Sequence, residues 1–150
     1  MSENMGVREL VYDETFAMTG TVDFGIDLAT ALSGAKPLPP QGVRVNVSFE
    51  GELTGPRLKG KITGTDYVLM RADGVVKLDV HAVIAAPDGA RIAFRADGVA
   101  DIQGTTAHLR ENVTLHTTAP AYAWVNRLQL WATGESDLVS GKARLKGYAA

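Results

Sequence analysis

Over residues 43–50 the chain alternates strictly. Val43, Val45, Val47 and Phe49 are apolar, and Arg44, Asn46, Ser48 and Glu50 between them are polar. A period of two is that of a β-strand with one face in a core and the other in water. Between Gly55 and Gly98, short runs rich in Val, Ile and Leu are punctuated by Gly64, Asp73-Gly74 and Asp88-Gly89, and Asp-Gly pairs are the tight-turn chemistry of hairpins. The pattern predicts roughly eight strands in all. They are drawn from extended segments at Val7 to Phe16, Thr19 to Leu28, Val43 to Glu50, Arg57 to Ile62, Asp66 to Arg71, Val75 to Ala86, Arg91 to Gly98, Thr105 to Thr118, Arg127 to Thr133 and Val139 to Tyr148. The first two are joined near Gly20. Helix is expected only as one or two turns, at Leu28 to Ser33 and Ala119 to Asn126.

The stretch Ser33 to Gly42, SGAKPLPPQG, holds half of the chain's six prolines and reads as a loop. Extended segments of equal quality flank it, so it is an insertion within one domain spanning residues 1–150. Sequential antiparallel strands without long helices either leave edges exposed or close on themselves, and closure removes the aggregation hazard. A single-domain all-β barrel of up-and-down topology is therefore expected, with a flattened sandwich as the alternative.

Composition narrows the partners. A chain of 150 residues buries roughly 70% of its unfolded surface and needs no covalent or metal staple. Hydrophobic residues make up 45% and charged residues 21%, as in globular proteins. The formal charge of −2 lacks the excess of Lys and Arg that non-specific nucleic-acid binding requires. Cysteine is absent, which excludes disulfides, thiolate metal sites and cysteine nucleophiles. The first thirty residues carry Glu3, Arg8, Glu9, Asp13 and Glu14 in place of a basic start and apolar core, and no run approaches the ~20 apolar residues of a membrane span. A cytoplasmic protein without a membrane partner is the expectation.

Two strands carry polar stripes containing histidine. Val76, Leu78, Val80, Ala82 and Ile84 form one face of Val75 to Ile84, and Lys77, Asp79 and His81 the other. Farther on, His108, Arg110, Asn112, Thr114 and His116 lie opposite Leu109, Val113 and Leu115. Facing solvent, these stripes are the wetted side of a sheet. Facing a lumen, Asp79 beside His81 tunes an imidazole for acid–base work near neutral pH, and Arg71, Arg91 or Arg95 holds an anionic or carbonyl group. The turn Pro87 to Ala90 leaves the register open, and a slip of one residue exchanges the faces.

Other chemistry is weakly signalled. His81, His108 and His116 lack metal spacing, so no metal and no cofactor are expected. Serine elbow, phosphate loop and dinucleotide fingerprint are missing. The phrase RADG at Arg71 to Gly74 and Arg95 to Gly98 repeats turn chemistry without matching flanks. Tyr122, Trp124 and Trp131 form either core or a stacking wall for an aromatic ligand.

The run GPRLKG at Gly55 to Gly60, then Gly64, Asp66-Tyr67, Arg71, Asp73-Gly74, Leu78-Asp79, Asp88-Gly89-Ala90, Ile92 and Gly98 make up one part of a larger pattern. Ala119-Pro120, Tyr122, Trp124, Asn126 and Gly134-Glu135 complete it. Together they resemble the domain-of-unknown-function 3237 family from about Val7 to Tyr148. The resemblance implies a small barrel similar to lipocalin-like barrels, of unassigned function. It implies Asp66, Arg71, Asp79, Tyr122, Trp124 and Asn126 as recurrent positions, with Asp79 tying strands and Asn126 capping a turn. Tyr67 stands where a Trp is common, and His81 where an Arg is common.

The leading expectation is a barrel that receives a small, partly apolar or aromatic oxygenated molecule. Its chemistry is that of a cofactor-independent lyase, isomerase or hydratase, with Asp79, His81, Arg71 and Arg95 catalytic. Tyr67, His108, Arg110, His116, Tyr122, Trp124 and Asn126 contact the ligand. A non-catalytic carrier and a structural oligomerisation domain are the alternatives. Leu128 and Leu130 alternating with Gln129 and Trp131 put apolar side chains on both faces of one strand, so a homo-oligomer is expected.

Overall fold

A computed structural model describes residues 8–149. Eight strands run in chain order: β1 Glu9–Asp23, β2 Val43–Pro56, β3 Lys59–Met70, β4 Val76–Ala85, β5 Arg91–Gln103, β6 Thr106–His116, β7 Gln129–Asp137 and β8 Lys142–Ala149. Each pairs antiparallel with the next, and β8 pairs with β1, which closes the barrel. The expected lipocalin-like up-and-down architecture is thus the one observed, and closure leaves no free edge.

Some glycines expected to turn the chain instead lie inside strands. β3 runs unbroken through Gly64, where a Cβ would fall 2.5 Å from the Cβ of Ala82 on β4. β5 continues past Gly98 to Gln103, and a Cβ at Gly98 would fall 1.8 Å from the Arg110 carbonyl oxygen. At both positions glycine permits close approach of a neighbouring strand, a role that sequence punctuation does not distinguish from a turn. β1 likewise passes through Gly20, the expected break being a register shift against β2 between Met18 and Gly20. The expected start at Val7 lies outside the described residues.

Inward positions follow the apolar phase of each strand, as at Val76, Leu78, Val80, Ala82 and Ile84 on β4. Each fully buried Leu or Ile contributes about 1.5–3 kcal/mol relative to exposure. A second register shift on β1, between Leu10 and Tyr12 against β8, allows Val11 and Tyr12 both to be buried. The Val11 carbonyl accepts from the amides of Arg57 and Leu58 in the β2–β3 connection.

Short helical pieces stand at the two ends of the barrel. α1, Leu28–Leu32, starts at Asp27, whose side chain accepts from the Thr30 amide. It is followed by residues 33–42, which lack regular structure. At the opposite end a 3₁₀ segment, Pro120–Arg127, buries Val125 completely. Both lie where short helical turns are expected from the sequence. No helix among the described residues is long and apolar enough to cross a membrane.

Candidate active site

Three carboxyl groups occupy the inward, apolar phase of their strands. On β1, Glu14 follows Tyr12 and precedes Phe16; on β6, Glu111 stands between Leu109 and Val113; on β3, Asp66 lies between Ile62 and Val68. Glu14 is 3% and Glu111 6% exposed. All three line one chamber of about 40 Å³, walled by Phe16, Phe49, Val80, Phe94 and Leu109. Toward α1, an apolar outer chamber of about 90 Å³ lies beneath Leu28 and Leu32, and Phe16, Asp66 and Leu109 belong to both.

This environment sets the acidities. Burial pushes Glu14 up from 4.5 to about 8. Glu111 is likewise raised to about 8, by burial first and then by the charges of Glu14, Asp66 and Asp97. Asp66 rises only to about 6, because the burial cost is opposed by a hydrogen bond from the Asp79 amide to Asp66 Oδ1 at 2.9 Å. That bond sits in a gap in the ladder: β3 pairs Asp66 with Val80 and resumes at Leu69 with Lys77. At pH 7 the two glutamates are therefore protonated and Asp66 ionised, each by about ten to one. One chamber holds acids and a base whose environments separate their proton affinities.

Tyr12 adds a fourth polar group. It is wholly buried, and its hydroxyl has no partner among the described residues. Burial, then the charges of Glu14 and Glu111, hold it well above its ordinary pKa, so it stays a neutral donor. Strand registers place Tyr12, Gly147, Ala132 and Glu111 in one row around the barrel. A Cβ at Gly147 would fall 2.2 Å from the Tyr12 ring, so the glycine makes the seat on which the ring lies. Opposing cations are lacking: no Lys, Arg or His among the described residues is buried.

Of the residues singled out in the sequence, Asp66 lines the chamber and the others lie elsewhere. Asp79 and His81 do meet, Oδ1 to Nε2 at 3.1 Å, but on the barrel exterior with side chains 42% and 48% exposed. Tyr67 stands edge-on to the His81 ring at 5.5 Å, and Arg95 is opposite His81 on β5, also facing out. His108 is 3.4 Å from Glu135 Oε1 and shares with Arg110 a shallow exterior hollow. His116 is exposed on the same outer face. Arg71 bonds Asp73 in the β3–β4 turn. Tyr122, Trp124 and Asn126 belong to the 3₁₀ segment that closes the far end. There Trp124 lies under the Arg57 guanidinium at 4.3 Å, and Asn126 clamps Thr117 by two 2.8 Å backbone bonds.

The expectation that the two histidine stripes line the lumen is corrected accordingly. In a closed barrel this small the apolar phase faces inward, and the polar stripes meet water. The lumen acids carry a signal that the stripes hid: a carboxylate in the apolar phase, as in Leu109, Glu111, Val113. No group of three His, Asp or Glu among the described residues is arranged to hold a metal ion.

Fold and chamber define a closed, eight-stranded up-and-down barrel with an acid-lined interior. The profile of DUF3237, a family described as proteins of unknown function, matches residues 15–141, and the chain belongs to that family. No functionally curated protein matches it. Among solved structures it is similar to a protein of unknown function from Clostridium acetobutylicum, at 20% identity and TM-score 0.77, over 95% of this chain and 97% of that one. It is also similar to a β-barrel-like protein from Acinetobacter baumannii, at 18% identity and TM-score 0.69, over 99% of both chains. A protein described as an enzyme from Penicillium herquei matches at 18% identity and TM-score 0.60, again over 99% of both.

Proposed function

We propose that the lumen binds a small, uncharged, partly apolar oxygenated molecule and performs cofactor-independent acid–base chemistry on it, of the lyase, isomerase or hydratase kind. The observation that carries this reading is the convergence of Glu14, Asp66 and Glu111 on one otherwise apolar chamber. Burying carboxyl groups without cations is costly, and a fold that needed only a packed core would fill these positions with aliphatic residues. Undissociated Glu14 and Glu111 donate hydrogen bonds to an oxygen of the bound molecule, and ionised Asp66 accepts a proton from it. Exclusion of water by the closed wall strengthens both interactions. A cavity of ~150 Å³ takes up benzene, so the two chambers suit a molecule of that order. A barrel of the same fold is described as an enzyme, which supports a catalytic over a purely structural reading.

The test is uptake of phenol, a neutral oxygenated ring, followed by NMR of the lumen side chains Phe94, Val80 and Leu109. Phenol is expected to shift these resonances and benzoate to leave them in place, because no buried cation receives a carboxylate. Phenol that perturbs only exterior residues refutes the reading. A carrier uses the same cavity without turnover, and the apolar outer chamber beneath α1 favours it as the second reading.

A further inference from the structure

We infer that the molecule taken up is a carbonyl compound with a hydrogen on the adjacent carbon, and that the lumen enolises it: Asp66 removes that proton while Glu14 and Glu111, as undissociated acids, hold the carbonyl oxygen. The inference rests on the lumen being the ligand site and adds to it the substrate class and the step.

Asp66 Oδ1 is engaged by the Asp79 amide, which anchors the carboxylate against the wall and leaves Oδ2 to take a proton. The remaining two acids sit on β1 and β6, across the same chamber, where a ligand oxygen meets O–H donors rather than cations. Neutral donors of this kind suit an oxygen that is uncharged in the ground state and negative in the transition state. They do not suit a carboxylate or phosphate, whose charge would confront Asp66 in a chamber without a counter-ion. The Tyr12 hydroxyl, in the same row of the barrel as Glu111, is buried without a partner among the described residues and stands on the acid side as a further neutral donor.

The step balances. The C–H bond breaks and its proton goes to Asp66 Oδ2; the electron pair forms the C=C bond as the carbonyl π pair moves to oxygen. The enolate oxygen is held by the Glu14 and Glu111 O–H groups. Asp66, its captured proton replaced by a deuteron from solvent D₂O, then delivers that deuteron to the same carbon, giving exchange, or passes the captured proton to the far carbon of an unsaturated ketone, giving isomerisation. Asp66 ends as it began, and no oxidant, reductant or cofactor enters.

Cyclohexanone in D₂O, with loss of its α-hydrogen signals followed by NMR, is the probe. The wild-type protein is expected to accelerate exchange over buffer, and phenol, a planar mimic of the enolate, to stop it by occupying the lumen. Asp66→Asn keeps the bond to the Asp79 amide and is expected to lower the exchange rate about 10²–10⁴-fold, with phenol uptake retained. His81→Ala, on the outer face, is expected to leave the rate unchanged. Phenol uptake without exchange above buffer overturns the enolisation step and leaves the lumen as a binding site. Exchange that survives Asp66→Asn, or that phenol fails to inhibit, overturns the assignment of the base. Failure of both phenol and cyclohexanone to reach the lumen overturns the function from which the inference starts.

Discussion

Buried acids write a pH signature into stability that does not depend on knowing a substrate. Glu14 and Glu111 titrate near 4.5 unfolded and at about 8 folded, so between those values the folded chain binds more protons than the unfolded one. Stability to unfolding must therefore fall as pH rises, by about 1.4 kcal/mol per pH unit for each carboxyl. The contribution is fully present below the unfolded value and is lost as pH climbs through the folded one, about 5 kcal/mol per group over the whole range. Against a total of about 5–15 kcal/mol this is large. Asp66, raised from 3.8 to about 6, adds to the slope at the acid end. Asp13, Asp27 and Asp137 are lowered, so their contributions disappear only in more acid solution, below the window. The charged groups acting on Glu111 are Glu14, Asp66 and Asp97, Tyr12 shares its row, and the rest of the chamber wall is Phe16, Phe49, Val80, Phe94 and Leu109. Urea denaturation at intervals from pH 5.5 to 7.5 reads the slope. Glu111→Gln should flatten it by one carboxyl's share, about 1.4 kcal/mol per pH unit. A wild-type stability that is level or rising across this window, or a Gln variant with an unaltered slope, refutes the burial of ionisable carboxyls in the lumen.

Gly147→Ala drives a methyl into the Tyr12 ring and should destabilise by about 1–3 kcal/mol; thermal melts of this variant and of Gly147→Ala combined with Tyr12→Leu, which should recover part of the loss, check the contact. Asn126→Ala leaves the Thr117 amide and carbonyl unpaired and should cost about 1–3 kcal/mol in urea, while phenol uptake in the lumen is retained. Trp131, 39% exposed between Asn112 and Tyr148 on the outer wall, is expected to be covered by a second copy; light scattering giving a monomer at micromolar concentration counts against this. Asp79→Asn removes a negative charge that raises Asp66, so the Asp66 carboxyl should titrate lower than in the wild type by ¹³C NMR, and an unmoved titration refutes coupling through the wall.

The barrel was legible because alternation and Asp-Gly turns are local signals, each written within a few residues. Asp73-Gly74 and Asp88-Gly89 lie at the β3–β4 and β4–β5 connections, where both glycines take positive φ. Gly64 and Gly98 misled because a glycine that admits a neighbouring strand is written like one that turns the chain. The difference lies in Ala82 or Arg110, far along the sequence. Register shifts on β1 were illegible for the same reason. They arise from matching a long strand to two neighbours at once, and they decide that Tyr12 and Glu14 point inward.

For the site, the histidine stripes led to β4 and β6 and to their outer side, whereas the lumen acids come from β1, β3 and β6. Histidine draws attention because its ordinary acidity lies near neutrality, whereas Glu14, Asp66 and Glu111 become useful near neutrality only through burial, which is written no more loudly than as a carboxylate in an apolar phase. Asp79 shows how the two faces are joined. Its side chain meets His81 in solvent while its amide donates inward to Asp66, so one residue contributes a charge on the outside of the wall and a hydrogen bond on the inside. The two act oppositely on Asp66, the charge raising its proton affinity and the amide bond lowering it. A carboxylate anchored by a main-chain donor keeps its place when its charge changes, and that is the requirement on a group that must accept a proton and give it back. Asp79 therefore borders the chemistry at one wall's thickness, tuning a base that it does not replace.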